Sequence, residues 1–229
     1  MAWPLQQSPL DVQVEAPTEA EMAAFSVKVG GSREQVRSAT ELDWSNKAHY
    51  WSNKELTAGD CKVIAHLIAA KFMPVLTELN LKWNNFGAEG AIKIAESLKV
   101  NSALMSVKLE GNELGDEGWG AIFAGICGNK DSKIMSLDAS EENIGLAGGK
   151  LIAKALRTSV TGALTKLSLA RNKLGEEGTK AICEALEQNT TLKELDISGG
   201  HDDSNIGGSA GAKHVAKMVG VNGALTEVR

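Results

Sequence analysis

Apolar and polar residues follow one unit along this chain, and the unit occurs five times. Apolar residues stand at its first, fourth and sixth positions, asparagine at the ninth, and an apolar residue followed by glycine at the eleventh and twelfth. The copies begin at Leu76, Leu104, Ile134, Leu164 and Leu192, which are 28, 30, 30 and 28 residues apart. The copies at Ile134 and Leu192 follow the unit more loosely. A period of this size indicates a repeat architecture in which each unit stacks on its neighbours.

Each unit divides into a strand half and a helix half. The first half alternates at period two, as in Leu79-Asn80-Leu81, which predicts a short strand with one buried face. The second half has apolar residues at helical spacing, for example Ile94, Ala95 and Leu98. We therefore predict an α/β solenoid with a curved parallel sheet on the concave side and helices on the convex side. In its strands Leu79, Leu81, Leu109, Leu167 and Leu169 should be buried, and Asn80, Lys108 and Ser168 exposed.

The pattern predicts a repeat domain of about six units over residues 39–229. The predicted units are 39–75, 76–103, 104–133, 134–163, 164–191 and 192–224, with the start of a further strand at 225–229. The first unit is degenerate, with Leu42 and Trp44 at strand positions. Its insertion carries His49, Tyr50 and Trp51, which either cap the stack or protrude as a loop. At the other end, we expect the last strand to be covered by further protein or by a partner.

Residues 1–38 lack the repeat and contain three of the four prolines of the chain. We expect an irregular N-terminal arm there. Thr18-x-x-Glu21 is a capping-box pattern, which predicts a short helix at 18–28.

A helix in every repeat and a period near 28 resemble the ribonuclease-inhibitor-like leucine-rich repeats. Relatives of that subfamily include the repeat arrays of innate-immunity receptors and of Ran GTPase-activating proteins. The resemblance covers residues 39–229 and implies the solenoid fold. It also implies that Asn84, Asn112 and Asn172 point inward and bond the backbone, a set that we name the asparagine ladder. Glu142 and Gly200 hold the equivalent places elsewhere, so the ladder should be interrupted twice.

Composition limits the classes of partner. The chain has 229 residues and a net charge of −5, without a cluster of basic residues, which argues against binding to nucleic acid or anionic lipid. We expect no membrane insertion and see no targeting segment at Met1. Cys61, Cys127 and Cys183 form no paired motif, and Cys61 and Cys183 fall on the helical halves of repeats, where we expect buried thiols. A reducing compartment fits best, so the expected location is cytoplasmic.

Two groups of residues suggest ligand chemistry only weakly. Gly145 to Lys150 look like a phosphate-binding loop, but Ile144 stands where the motif needs its first glycine and Leu151 follows the lysine. The insertion with His201, Asp202 and Asp203, together with His214, could ligate a metal but reads more simply as a solvated loop. We therefore predict no catalytic residue, no cofactor and no metal site, and a protein that is not an enzyme.

The concave strand face is the best candidate for a binding surface. Its outward positions carry eight acidic and four basic residues and one large aromatic residue, Trp83. Aromatic anchors often dominate the energy of protein interfaces, so we place the centre of a protein-binding site at Trp83. The other predicted contact residues are Glu78, Asn80, Lys82, Lys108, Glu110, Asp138, Lys166 and Arg171. Trp119 falls on the helical side, either packed in the core or as a second, convex contact.

These observations favour a protein-protein interaction or scaffold module with a partner that the sequence does not identify. The first alternative is a structural subunit of a large, multi-subunit assembly, such as a cytoskeletal or flagellar complex, held by its arm and its ends. The second alternative, a GTPase-activating protein, rests on the family resemblance alone, because no catalytic residue of that class has a counterpart here.

Overall fold

The repeats form one continuous parallel sheet. A computed structural model describes residues 16–30, 32–45, 56–70, 72–199 and 205–229 of the chain. Within these residues seven parallel strands lie side by side in the order in which they occur along the chain. They are β1 (Glu41–Asp43), β2 (Glu78–Asn80), β3 (Ser106–Lys108), β4 (Ser136–Asp138), β5 (Lys166–Ser168), β6 (Glu194–Asp196) and β7 (Glu227–Val228). The predicted α/β solenoid is confirmed.

Helices alternate with the strands. The described residues contain α1 (Glu19–Val29), α2 (Arg33–Ser38), α3 (Ala58–Ala69), α4 (Gly87–Leu98), α5 (Gly115–Cys127), α6 (Leu146–Arg157), α7 (Gly175–Leu186) and α8 (Gly208–Val221). From α3 to α8, each helix packs against the next one along the chain. The apolar faces of helices and strands meet in one core that runs the length of the stack.

The burial of the strand residues follows the repeat pattern. Leu79, Leu81, Leu109, Leu167 and Leu169 are at most 1% exposed, as predicted. Of the three residues expected to be exposed, Lys108 is exposed, whereas Asn80 and Ser168 are half-buried. The Asn80 Oδ1 accepts a hydrogen bond at 3.2 Å from the N–H of Lys82, two residues beyond the end of β2.

Glycines on the helices let neighbouring helices approach closely. A Cβ atom at Gly90 would lie 2.9 Å from the Cys61 sulfur on α3, and one at Gly118 would lie 2.9 Å from the Cβ of Ala91 on α4. Both distances are shorter than those that a Cβ atom normally keeps from non-bonded heavy atoms. Gly90 and Gly118 therefore allow α3, α4 and α5 to pack closely.

The segment before the first repeat is more structured than an irregular arm. Thr18 caps α1 through the predicted capping box, and Ser32 with Gln35 forms a second box that starts α2. Phe25 is fully buried and meets Trp44 edge to face, with ring centroids 5.2 Å apart. Lys28 also bonds to Asp60 on α3 at 2.7 Å. Residues 16–38 therefore cover the first repeat.

The two ends of the repeat array contain the predicted strands. Leu42 and Trp44 take the inward positions of the first repeat, half-buried and buried respectively. At the other end, β7 pairs with β6, with Val228 beside Leu195. The predicted cap or loop of His49, Tyr50 and Trp51 lies outside the described residues.

Candidate functional site

The predicted contact residues lie on the sheet face away from the helices, but they differ in exposure. Glu78, Lys108, Asp138, Lys166 and Arg171 are exposed, as is Trp83, while Asn80 and Lys82 are half-buried. Glu110 was expected at the surface and is only 8% exposed. Its Oε1 lies 2.5 Å from Lys82 Nζ, so the two side chains form a partly buried ion pair across adjacent repeats.

Trp83 is held in an unusual position. Its φ is +59°, a left-handed backbone that bulky residues rarely adopt. The Trp83 N–H donates to the Glu110 carbonyl at 2.9 Å. The indole contacts Gly111 in the next repeat so closely that a Cβ atom there would lie 2.2 Å from Trp83 Cε3. The absence of a side chain at Gly111 thus makes room for the ring, which is 47% exposed.

The same turn position shows a different arrangement further along the stack. Glu141 and Arg171 take it in two later repeats, with φ values of +61° and +53°. Their side chains bond to each other at 2.6 Å, and both are more than 60% exposed. The left-handed backbone is therefore a property of the repeat, whereas the aromatic side chain resting on glycine belongs to Trp83 and Gly111 alone among these positions.

The asparagine ladder is confirmed. Asn84, Asn112 and Asn172 are buried, and each Nδ2 donates to backbone carbonyls of its own repeat and of the preceding one, as Asn112 does to Leu109 at 2.7 Å and to Leu81 at 2.9 Å. The assignment of a ladder place to Gly200 is wrong. Asn205 takes that place, with Nδ2 donating to Leu169 and Ile197 at 2.8 and 3.0 Å. The polar insertion before it shifts the asparagine by five residues.

Glu142 interrupts the ladder, as predicted, and does so with a charged group. It is 8% exposed. One carboxylate oxygen accepts from the Gly111 N–H at 2.7 Å and the other from Trp119 Nε1–H at 3.1 Å. Burial raises the pKa of this carboxyl above its usual value.

Trp119 is a core residue. It is fully buried, lies at a tilt against Phe123 with centroids 6.4 Å apart, and directs its indole N–H to Glu142. A convex contact at Trp119 is therefore excluded. Helical spacing alone does not distinguish a core residue from a convex contact, because Glu142, which accepts the hydrogen bond from the Trp119 N–H, lies in the next repeat.

Charges on the sheet face are distributed unevenly. In one row of neighbouring strand positions, Glu41 and Glu78 stand side by side on β1 and β2. In the same row on β5 and β6, Lys166 and Glu194 form an ion pair at 2.7 Å. Like charges directly opposite each other destabilise a sheet, whereas opposite charges stabilise it. Among the described residues, Glu41 and Glu78 at the end of the face near Trp83 are therefore not compensated by an ion pair.

The surface offers little room for a small molecule in the region of the paired charges. A depression lined by residues of β4 to β7, among them Asp138, Lys166 and Arg229, has a volume of about 210 Å³. Typical pockets for small ligands measure about 300–1,000 Å³. This depression is below that range.

In the glycine-rich segment that looks like a phosphate-binding loop, the backbone N–H of Gly145 bonds to another side chain of the chain. The Gly145 N–H at the start of α6 donates to Asp116 Oδ1 at 2.8 Å. A carboxylate thus takes the place that a phosphate would need. The metal candidates His201, Asp202 and Asp203 lie outside the described residues, and the described residues alone contain no cluster suited to a metal ion.

The three cysteines are buried thiols, which confirms the prediction for Cys61 and Cys183. Burial raises the pKa of Cys127 and of Cys183 to about 11, and it raises the pKa of Cys61 as well. Buried thiols with raised pKa values are weak nucleophiles. None of the helices in the described ranges has both the length and the apolar character that crossing a bilayer requires.

Comparison with known proteins agrees with the repeat pattern. A family model described as "Leucine Rich repeat" matches residues 72–95, 100–123, 164–183 and 188–201. The chain is 38% identical to the ribonuclease inhibitor of Mus musculus over 96 residues, which are 41% of this chain and 20% of that protein. It is 30% identical to Protein CARMIL of Dictyostelium discoideum over 129 residues, 56% of this chain and 12% of that one.

Among solved structures, Leiomodin-1 Actin-Binding Site 2 is similar with a TM-score of 0.48 at 17% identity, over 90% of this chain and 91% of that chain. The chain spans a fifth or less of the length of the two curated relatives above. The repeat unit, the parallel sheet with its helices and the similarity to ribonuclease inhibitors agree on one family. The chain is a leucine-rich repeat protein of the ribonuclease-inhibitor-like type.

Proposed function

We propose that this chain is a non-enzymatic protein-binding module whose concave sheet face, centred on Trp83, receives a basic segment of another protein. The Trp83 indole, which is half-exposed and packs on Gly111, is the main support for this proposal. Repeated features such as the leucines and the ladder are accounted for by the fold. Glu141 and Arg171 take the same turn position without an aromatic ring, so the repeat backbone does not require the indole, and large aromatic groups are strong anchors in interfaces.

Charge favours a basic occupant. Glu41, Glu78 and Asp138 are exposed on this part of the face and form no ion pair among the described residues, and Lys108 is the exposed cation beside them. An arginine or lysine of a partner could lie between Glu41 and Glu78 and relieve their repulsion, or could stack on the indole. Lys166 and Arg171, which are already paired, would form the rim of the interface and contribute little.

A peptide selection tests this proposal and requires no candidate partner. A displayed library of random peptides is selected on the immobilised chain, and single peptides are then measured against variants. We expect enrichment of peptides with arginine or lysine next to an apolar residue. Trp83→Ala should weaken their binding by more than about 1 kcal/mol. Arg171→Ala changes the same turn position in a later repeat and is the matched control, which should bind as the parent does.

Two further variants separate the parts of the proposal. Glu41→Gln combined with Glu78→Gln should weaken basic peptides most at low salt, because screening already reduces the attraction at high salt. Selected peptides that bind Trp83→Ala as tightly as the parent would overturn the assignment of the site. Enrichment of acidic peptides would overturn the charge argument. Binding lost on deletion of residues 1–15 but kept in Trp83→Ala would instead favour an assembly subunit held by its ends.

A further inference from the structure

Glu142 and Trp119 depart from the repeat, and near Trp83 both belong to one hydrogen-bonded group with Gly111. Glu142 takes a place where other repeats have the ladder asparagine. Trp119 takes the helix position that is Ala91, Gly149 and Thr179 in other repeats. Gly111 takes the turn position of Trp83 itself. The Glu142 carboxylate joins the other two, at 2.7 Å from the Gly111 nitrogen and 3.1 Å from Trp119 Nε1.

This bonded group lies directly beneath the proposed anchor. Gly111 is the residue that the Trp83 indole contacts, and its φ of +72° is the left-handed backbone that Trp83, Glu141 and Arg171 also have at this turn position. The hydrogen bond from its N–H to Glu142 fixes that backbone, and the bond from Trp119 fixes the carboxylate in turn. A ladder asparagine would not serve in the same way, because Asn84, Asn112 and Asn172 use Nδ2 to donate to carbonyls rather than only accepting.

We infer that Glu142 is a positioning residue for Trp83: its carboxylate, held by Trp119, fixes the Gly111 backbone on which the indole rests. The inference builds on the proposed function, in which Trp83 anchors a partner. It assigns a binding role to a buried charge that otherwise only weakens the ladder. It also explains why a tryptophan stands on α5 where other repeats have a small residue, since its indole N–H reaches the carboxylate.

The surroundings of Glu142 make its charge sensitive to pH. Glu110, at the end of β3, and Asp138 on β4 both raise the pKa of Glu142 through repulsion, in addition to burial. Lys82 pairs with Glu110, and Asp116 on α5 bonds to the Gly145 N–H, so both are already engaged. The bonds from Gly111 and Trp119 act in the opposite direction and favour the ionised form.

Tryptophan emission tests the inference in the isolated chain. Each variant is made with and without Trp83→Phe, and the difference spectrum reports Trp83 alone. Glu142→Gln offers one acceptor where two N–H groups point, so its amide NH₂ would face one of those donors. We expect a shift in the Trp83 emission and an increase in its quenching by acrylamide. Adding Trp119→Phe to this variant removes the competing donor and should restore both signals, whereas a merely destabilised core would not be rescued.

A pH titration supplies an independent readout. In the parent chain the Trp83 emission should change with a midpoint above 4.5, the ordinary value for glutamate, and Glu142→Gln should abolish that transition. Trp119→Phe alone removes a bond that favours ionisation, so it should move the midpoint to higher pH. This arm also tests the inference if Glu142→Gln fails to fold.

Unchanged emission and quenching of Trp83 in folded Glu142→Gln would overturn the inference, as would an unchanged midpoint in Trp119→Phe. Neither measurement uses a partner. Failure of the peptide selection would therefore count against the proposed function and leave the positioning of Trp83 standing, and the converse also holds.

Discussion

The two ends of the concave face have the same backbone conformation but differ in the contacts that their outward side chains make. From β4 to β6 the outward charges pair across adjacent repeats, as in Lys166 with Glu194 and Arg171 with Glu141. At β1 to β3, Lys82 pairs with Glu110, but Glu41 stands beside Glu78, and an aromatic ring occupies the turn position where the later repeats have an ion pair. Among the described residues, Glu41 and Glu78 form no ion pair, and the Trp83 ring is 47% exposed.

In a repeat protein, the residues that differ from one unit to the next are the candidates for binding a partner. Residues that recur in every unit build the stack and would be present whatever the protein binds. Trp83, Trp119 and Glu142 do not recur at the equivalent positions, and the structure brings them together with Gly111 at one place on the sheet. Departures from the internal repeat therefore locate the candidate site more sharply than exposure or charge taken alone.

The largest expected effect tests whether the two ends differ only at the surface. Leu109 lies under the Trp83 end and Leu169 under the paired end, and both are fully buried. Leu109→Ala and Leu169→Ala should each cost about 2–5 kcal/mol of unfolding free energy, as for other core truncations. Urea unfolding measures both values. A small loss at Leu109 alone would mean that the core, too, is looser beneath Trp83.

Single residues show which parts of the fold and of the candidate site the sequence predicts. Leu79 and Leu109 reveal their burial through period and type. Asn205 does not, because an insertion moves it out of register with the unit, and its bonds to Leu169 and Ile197 are visible only in the structure. The role of Glu142 depends on partners 31 and 23 residues away, a pairing that no local pattern contains. The Ser32-x-x-Gln35 box of α2 was present in the sequence and could have been recognised.

The ladder supplies a second, intermediate effect. Asn172 accepts from Glu142 and Ile144 N–H groups at 3.1 and 3.0 Å and also donates through Nδ2. The Oδ1 of Asn112 has no partner among the described residues. A buried polar group left unpaired costs about 1–3 kcal/mol, so Asn172→Leu should destabilise the chain more than Asn112→Leu.

Thermal unfolding of the two ladder variants gives this order directly. Asn112→Leu should leave the affinity of selected peptides unchanged once the chain is folded, because the side chain is buried beneath the sheet face. Lower affinity at unchanged stability would make Asn112 a binding residue and contradict its structural role.

The exposed ion pair of Arg171 and Glu141 should show the smallest change in stability. Lys82→Ala leaves the Glu110 carboxylate buried without its cation, and Glu110 Oε2 already lacks a hydrogen-bond partner among the described residues. Its cost should exceed that of Arg171→Ala, which breaks an exposed pair worth about 0–1 kcal/mol. Chemical unfolding at low and high salt compares them. Equal costs would indicate that Glu110 is solvated rather than buried.

Calorimetric titration of a selected peptide tests most directly whether Trp83 anchors a protein partner. Parent chain, Trp83→Ala and Arg171→Ala are measured side by side, after thermal unfolding has shown that all three are folded. We predict a loss of more than about 1 kcal/mol for Trp83→Ala and unchanged binding for Arg171→Ala. Equal affinity of the parent chain and Trp83→Ala would contradict the account and leave the concave face without a demonstrated anchor.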